Sequence, residues 1–526
     1  MHEWPISEWL DNPILVKHIR SRLRPQALAS GVAVVLILCL CIAWAGLRSA
    51  LFQNGTAFGL YLCLQMVILV PMGGSQVGVA MAQAKSSGIL DFHRVSPVTP
   101  SALVLGFFFG GAIREYVLFA VTLPFSLLCL AFGEPSFRGF VQLTMALVII
   151  AWLTQGLALL NGLMTRSYRG SMGVMGLGGV FFLFLGAPLL FATSRASALV
   201  EMDIRLGFYG FSLPWLAVVV IVAAPILALM FLASRRKMES DLNHPLSKRQ
   251  ALLALCVIAF ILVGICWRGE FGQARLLGRL NRDDLLVIDI ILLYLMVVAA
   301  LIVATMVTPN RAEYLKGLWR ATKQGKKRLS LWHDLSLSRL FVAAACLVVL
   351  VAATVVGGQI NEAQGPQYTH LGSFSLATAT AVLVVGYLGL ALQFFMLQFG
   401  RRGPTYFTLF VFFAWLLPLI AGAILASSST VNRPGGASVL ILNLSPVVGI
   451  GFLAIPSSDY APSFVRGAQA CAFTPAALFL FVFGSLLTMA QRGANREFRL
   501  SQSGLGIDTS TVVVPVVGDQ ARIQTL

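Results

Sequence analysis

The chain has 526 residues, of which 58% are hydrophobic and 11% charged, with a formal net charge of +17. That balance excludes an ordinary soluble domain, in which about a quarter of residues carry charge. The positive charge does not mark a nucleic-acid binder, because the basic residues gather in short segments beside apolar runs, as the positive-inside rule requires.

Met1–Asp11 mixes acids with tryptophan and has no short apolar core before a small-residue site, so no cleaved leader is expected. Asn12–Arg24 sets Ile14, Leu15, Ile19 and Leu23 against Lys17, Arg20, Arg22 and Arg24, the pattern of a helix lying in the membrane interface. Apolar runs long enough to cross a bilayer then follow at Gln26–Gly46, Phe58–Ala82, Leu103–Phe132, Phe140–Met164, Ser171–Thr193 and Leu213–Ser234. A second set lies at Ala251–Trp267, Leu285–Val307, Leu340–Val356, Phe374–Phe399, Tyr406–Ala426 and Cys471–Ala490. Val439–Pro456 is also apolar. Pro446, Gly449, Gly451 and Pro456 weaken a continuous helix there, so a re-entrant or interfacial segment is expected.

The fold class is therefore an all-α polytopic membrane protein. About twelve transmembrane helices form two six-helix halves, with interfacial and re-entrant helices added. The expected divisions are a cytoplasmic interfacial helix at 1–25, a first half at 26–234, and a cytoplasmic linker with a second helix of the same kind, on the basic amphipathic stretch Pro245–Gln250, at 235–250. A second half at 251–490 and a tail at 491–526 follow. Most basic residues fall on one side if both termini are cytoplasmic. The eight cysteines all lie in apolar segments. Cys39 and Cys41 are two apart on a helix and form no metal clip.

The inner loop between the second and third spans reads Lys85-Ser-Ser-Gly-Ile-Leu-Asp-Phe-His-Arg-Val-Ser-Pro-Val-Thr-Pro100, and Leu103 and Gly106 follow it. Gly88-Ile-Leu-Asp-Phe92, Ser96-Pro-Val-Thr-Pro100 and Gly106 resemble the corresponding loop of the membrane permeases of type 2 ABC exporters. Asn12–Arg24 resembles the elbow helix of that family, and Asn443-Leu-Ser-Pro-Val-Val448 the outer segment before its last span. The resemblance covers the N-terminal 110 residues or so by motif and the rest by topology. It implies an ATPase-coupling loop at Gly88, Leu90, Asp91, Phe92, Ser96, Pro97, Thr99 and Pro100. There a short helix docks on a separate ABC ATPase subunit. The pattern is physically apt, with Asp91 placed to cap or open that helix and Pro97 and Pro100 to end it. The family's acidic and basic residues before the glycine are replaced here by Ala84, Lys85, Ser86 and Ser87. The resemblance also implies that ATP is bound by the partner and not by this chain. It leaves open a second permease or accessory subunit.

The second inner loop, Thr308–Ser338, carries Tyr314, Leu318 and Trp319 on one side of a basic helical stretch. It reads as a second docking helix or as a polybasic helix on membrane lipids. Arg114 and Glu115 fall inside the third apolar run, where charge costs about 2.5–3.5 kcal/mol unless paired or wet. Adjacent residues point roughly 100° apart on a helix, so each is expected to need its own partner or a water-filled cavity. They are candidates for a translocation path or for an interhelical structural pair, unless the span begins later and leaves both near the interface. Gln65, Gln155, Asn161 and Gln393 are expected to hydrogen-bond between helices.

The chain lacks a phosphate-binding loop and a catalytic cluster, so the expectation is a permease that makes and breaks no bonds. Val355-Val-Gly-Gly-Gln359 lies at a helix end, and Gly325-Lys326 lacks the earlier glycine and the following Ser/Thr. Two other classes share parts of the pattern. A secondary transporter of the major facilitator type also has twelve spans, but Pro97 and Pro100 stand where its inner loop has a basic cluster. A membrane-embedded lipid or glycosyl transferase needs clustered histidines or carboxylates, whereas here the histidines are scattered.

Overall fold

The computed structural model describes residues 12–48, 56–132, 136–164, 205–240, 244–267, 282–326, 329–364, 370–428, 436–446, 448–450 and 462–502. Among these, 11 helices are long and apolar enough to cross a membrane. They correspond to eleven of the expected spans. The twelfth, Ser171–Thr193, lies outside the described residues, as do 503–526 of the tail. The chain is an α-helical, multi-pass membrane protein.

The structure divides into two units, Met1–Leu292 with Val355–Pro366, and Leu293–Thr354 with Gln367–Leu526. The first unit opens with α1 (Pro13–Arg22) and α2 (Pro25–Arg48). The second span is α3 (Thr56–Val67), a π-helical turn at Ile68–Met72 that contains Pro71, and α4 (Gly73–Ser86). A proline ring removes a backbone donor and crowds the preceding carbonyl, and the wider turn accommodates it. α5 (Ile89–Val95), α6 (Pro100–Gly111), α7 (Ile113–Ala131) and α8 (Phe137–Met164) follow. A hairpin of β1 (Arg205–Phe208) and β2 (Phe211–Pro214) leads into α9 (Trp215–Glu239) and α10 (Lys248–Cys266). The sequence division at 250 falls in the first turn of α10, and the structural division falls after Leu292, within the next helix.

The third span corrects the sequence reading. Leu103–Phe132 is two helices, broken at Ala112 (φ −106°, ψ 13°). Gly110 and Gly111 explain the break, since glycine weakens a helix interior by about 1 kcal/mol each. Gly111 also lies so close to Val77 on α4 that a Cβ would stand 2.9 Å from the Val77 Cα. Similarly, a Cβ on Gly162 of α8 would stand 2.7 Å from the Gly78 carbonyl of α4. Small residues at facing positions let membrane helices approach at backbone distance.

A second correction concerns Pro245–Gln250, which forms no separate interfacial helix among the described residues. Ser247 accepts from the Gln250 backbone N–H, the Gln250 side chain returns the bond to the Ser247 N–H, and this capping box starts the span directly at Lys248. The hairpin was not foreseen. Its turn is Tyr209-Gly210, both with positive φ, as a two-residue hairpin requires. Tyr209 Oη donates to the Phe260 carbonyl at 2.7 Å, and its ring packs against Phe260 and Trp267.

The second unit takes in most of α11 (Arg282–Val307), with α12 (Arg311–Lys323) and most of α13 (Arg339–Gln364). α14 (His370–Phe399) packs along α18 (Pro462–Gln502). Between them come α15 (Gly403–Val411), a π-helical turn at Phe412–Leu416, α16 (Leu417–Ser428) and α17 (Gly436–Asn443). Tyr387, Phe395, Phe410, Phe479 and Phe483 make a continuous aromatic contact among α14, α15 and α18. Trp415 Nε1 donates to the Tyr387 hydroxyl at 2.7 Å.

α17 spans only about 12 Å and ends in a turn at Leu444–Ser445. The apolar segment from Val439 is thus not one continuous helix, and Val447 and 451–461 lie outside the described residues. α18 has 41 residues, about 60 Å at 1.5 Å per residue, roughly twice the hydrocarbon thickness. It carries Arg492, Arg496 and Arg499, so the start of the expected tail is helical.

The mid-span amides divide. Gln65 Nε2 donates to Ser126 Oγ at 3.1 Å, joining α3 to α7, and Gln155 Nε2 donates to the Leu69 carbonyl in the π-helical turn. Gln393 departs from expectation: it is 1% exposed and neither amide atom finds a hydrogen-bond partner.

Candidate functional site

The loop after α4 is short, two residues between Ser86 and Ile89. Gly88 adopts φ +74° as the N-cap of α5, a left-handed conformation that side chains disfavour. The seven residues of α5 then divide into two faces. Leu90, 1% exposed, and Arg94 point inward at i, i+4 spacing. Leu90 enters a buried cluster with Ile14, Leu103, Val104, Leu159, Leu163 and Met238, drawn from α1, α6, α8 and α9. Arg94 donates from Nε to the Met238 carbonyl at 3.0 Å and from Nη2 to the Lys237 carbonyl at 3.1 Å. It thereby satisfies orphan carbonyls at the C-terminus of α9, where a cation is also favoured by the helix dipole. Its Nη1 pairs with Asp91 Oδ1 at 2.6 Å.

The outer face is apolar and open. Ile89 is 39% exposed, Phe92 69% and Val95 83%, at i, i+3, i+6 spacing. Of the residues expected on this surface, Phe92 is there, and Asp91 is exposed but held by Arg94. Gly88 supplies the N-cap and Asp91 stands in the first turn, so Asp91 helps open the helix but does not cap it. Ser96 turns its hydroxyl back to the His93 carbonyl at 2.7 Å, which makes it part of the helix stop. Thr99 caps α6 by accepting from the Ala102 N–H, and Pro100 is the first residue of α6. Pro100 therefore begins the next helix and does not end α5, consistent with a helix N1 position that needs no donor. Ile89, Val95 and Arg94 were missed. The spacing of Ile89, Phe92 and Val95 was the available signal.

The second inner loop is built differently. Asn310 and Glu313 form a capping box at the start of α12. Tyr314 is buried and donates to Asn495 Oδ1 at 3.0 Å, while Arg311 pairs with Glu497, both on the extension of α18. Leu318 packs on the same cluster as Leu397 and Leu487. Trp319 is 44% exposed and meets the edge of Phe498 at 5.4 Å. The apolar side of α12 thus packs on α18 of the same chain, which corrects the reading of Tyr314 as a docking residue. The residues it packs on lie far along the chain, beyond reach of a local pattern.

Arg114 and Glu115 lie in the first turn of α7, near the end of that span and not at its middle. Contrary to expectation they pair with each other. Arg114 Nε and Nη2 donate to Glu115 Oε1 at 3.1 and 2.9 Å. Glu115 is fully buried and its Oε2 has no hydrogen-bond partner among the described residues. A carboxylate in the first turn is favoured by the helix dipole. Arg22 of α1 stands near enough to feel both charges: burial lowers its pKa, with Glu115 acting to raise it and Arg114 to lower it. Arg22 Nη1 donates to Gln76 Oε1 at 2.6 Å, which ties α1 to α4.

Among the described residues no group of three or more His, Cys, Asp or Glu side chains is placed to hold a metal ion. Comparison of the chain with protein-family models, with curated proteins and with solved structures finds no match. The class that fold and composition define is a multi-pass helical membrane protein.

Proposed function

We propose that the chain is the membrane-spanning permease of a type 2 ABC exporter, moving its cargo by alternating access driven by ATPase subunits on separate chains. The observation that carries this reading is α5: a loop helix clamped from beneath by Leu90 and Arg94, with Ile89, Phe92 and Val95 uncovered. An anchored helix with an exposed apolar stripe suits a partner's pocket, and a single aromatic anchor often carries much of such an interface's energy. The residues of that helix and of the turn after it are those that resemble the family's coupling loop. Closure of the ATPase subunits would push on α5 and, through Leu90 and Arg94, on α6 and α9. On this reading ATP is bound by the partner, the chain itself catalyses nothing, and it resides in the cell (inner) membrane with both termini cytoplasmic. Arg114 and Glu115, closed on one another, serve this scheme as a structural pair near the end of α7.

Replacing Phe92 with Asp tests the reading, because Phe92 packs outward and its loss leaves the Leu90 cluster intact. Co-purification of an ATP-binding subunit with the tagged permease is expected to fall at least about tenfold, the order for losing a central anchor. The variant should insert and unfold like the parent. Full co-purification with full ATP-dependent transport would reduce α5 to a plain connector.

A further inference from the structure

A second feature of the same end of the first unit is a cleft of about 460 Å³ between α1, the end of α4 and α5. Lys17, Ser21 and Arg22 enter it from α1, Ser86 and Ser87 from the end of α4, and His93 from α5. Among the described residues that line it, none is acidic. Its lining also includes the apolar side chains of Ile14, Ile89 and Phe107. The span Thr56–Ser86 ends at this cleft, so it lies where headgroups lie if α4 emerges from the bilayer there.

We infer that this cleft binds the phosphate of an anionic phospholipid, with Lys17 and Arg22 supplying the charge. The chemistry fits in two respects. Several phosphate oxygens match a guanidinium and an ammonium presented together by α1. The apolar residues of the lining match the start of an acyl chain, which free phosphate lacks. The surrounding field agrees: His18 is pushed down to about 4 by burial and by the charges of Arg22 and Lys17. His93 is lowered by burial and by Lys17. Both imidazoles are thus lowered in pKa beside cations, a setting in which an added anion is favourable. The inference does not depend on the exporter reading. A lipid seated here would join α1 and α4 to α5 and fix the angle at which α5 is presented.

The test is native mass spectrometry of the full chain, delipidated and then offered phosphatidylglycerol, phosphatidylcholine or inorganic phosphate. One retained phosphatidylglycerol is expected, with little retention of phosphatidylcholine. Lys17→Gln should cut that retention about fivefold or more, on the scale of one interfacial cation. Arg20→Gln with Arg24→Gln, exposed cations outside the cleft, should leave it unchanged. Arg22→Gln should act like Lys17→Gln. Because Arg22 also holds Gln76, the exposed Lys17 carries the test if that variant fails to fold. Inorganic phosphate that competes at similar concentration would identify a soluble phosphate as the occupant and overturn the lipid assignment. Equal losses in the Arg20/Arg24 control would mean a diffuse surface charge and no site.

Discussion

Replacing Arg114 with Leu is expected to destabilise the protein by about 3–5 kcal/mol, because it leaves a fully buried carboxylate without its ion-pair partner. Glu115 is 0% exposed and takes both of its Arg114 bonds on Oε1, while Oε2 is already unpartnered among the described residues. Arg22 acts on it only at longer range, since its own guanidinium is engaged with Gln76. Replacing both residues, Arg114→Leu with Glu115→Leu, should recover most of the loss, since a buried pair exchanged for apolar side chains is often neutral or stabilising. Thermal unfolding in one detergent, arranged as a double-mutant cycle, reads the coupling directly. A destabilised single variant and a restored double variant would fit a structural pair. If the single variant kept its stability but lost transport, the two residues would belong to a translocation path.

The second large effect is expected at Gly106 and Gly110. These glycines lie on the face of α6 that receives α1. A Cβ at Gly106 would stand 2.8 Å from Ile14 Cβ, and one at Gly110 would stand 2.8 Å from His18 Cβ. Asn12 Nδ2 donates to the Ala102 carbonyl at 2.6 Å in the same contact, and the His18 ring meets Phe107 edge-on at 5.2 Å. A leucine at Gly106 has nowhere to go without moving α1, and overpacking of this kind costs about 1–3 kcal/mol or more. A ten-residue helix is marginal by itself. Hydrogen exchange across Val16–Arg22 should therefore rise by an order of magnitude or more in Gly106→Leu. Gly493→Leu is the control, because nothing lies within 4 Å of a Cβ there. Unchanged protection of α1 would show that it is held by the membrane surface and not by α6.

What the sequence displayed clearly was whatever depends on local composition. A run of about 20 apolar residues needs no partner to be recognised, and the bilayer sets its length. Asn12–Arg24 was legible in the same way, from its alternation of cations and aliphatics. Breaks within apolar runs were harder. Gly110-Gly111 was the visible sign that Leu103–Phe132 is two helices, but its weight comes from α1 and Val77, which only the folded chain brings against it. The inner loops show the same limit. Leu90 and Arg94 could be placed on one face by spacing, yet that the face is covered depends on α9, far along the chain. For α12 the amphipathic pattern was correct, and the identity of its cover, Asn495, Glu497 and Phe498, was not accessible from nearby residues. Gln393 obeys neither rule, since a buried amide without a partner has no signature in sequence.

The most direct test of the proposed coupling is photocrosslinking in native membranes from a probe placed at Phe92. The account predicts one protein adduct, an ATP-binding subunit identified by mass spectrometry, with a yield that changes when ATP is added. A probe at Phe481, equally exposed but within a span, should give no such adduct. If probes at Ile89, Phe92 and Val95 capture no ATP-binding chain while α5 remains folded, the chain is not the permease of an ABC exporter coupled through this helix.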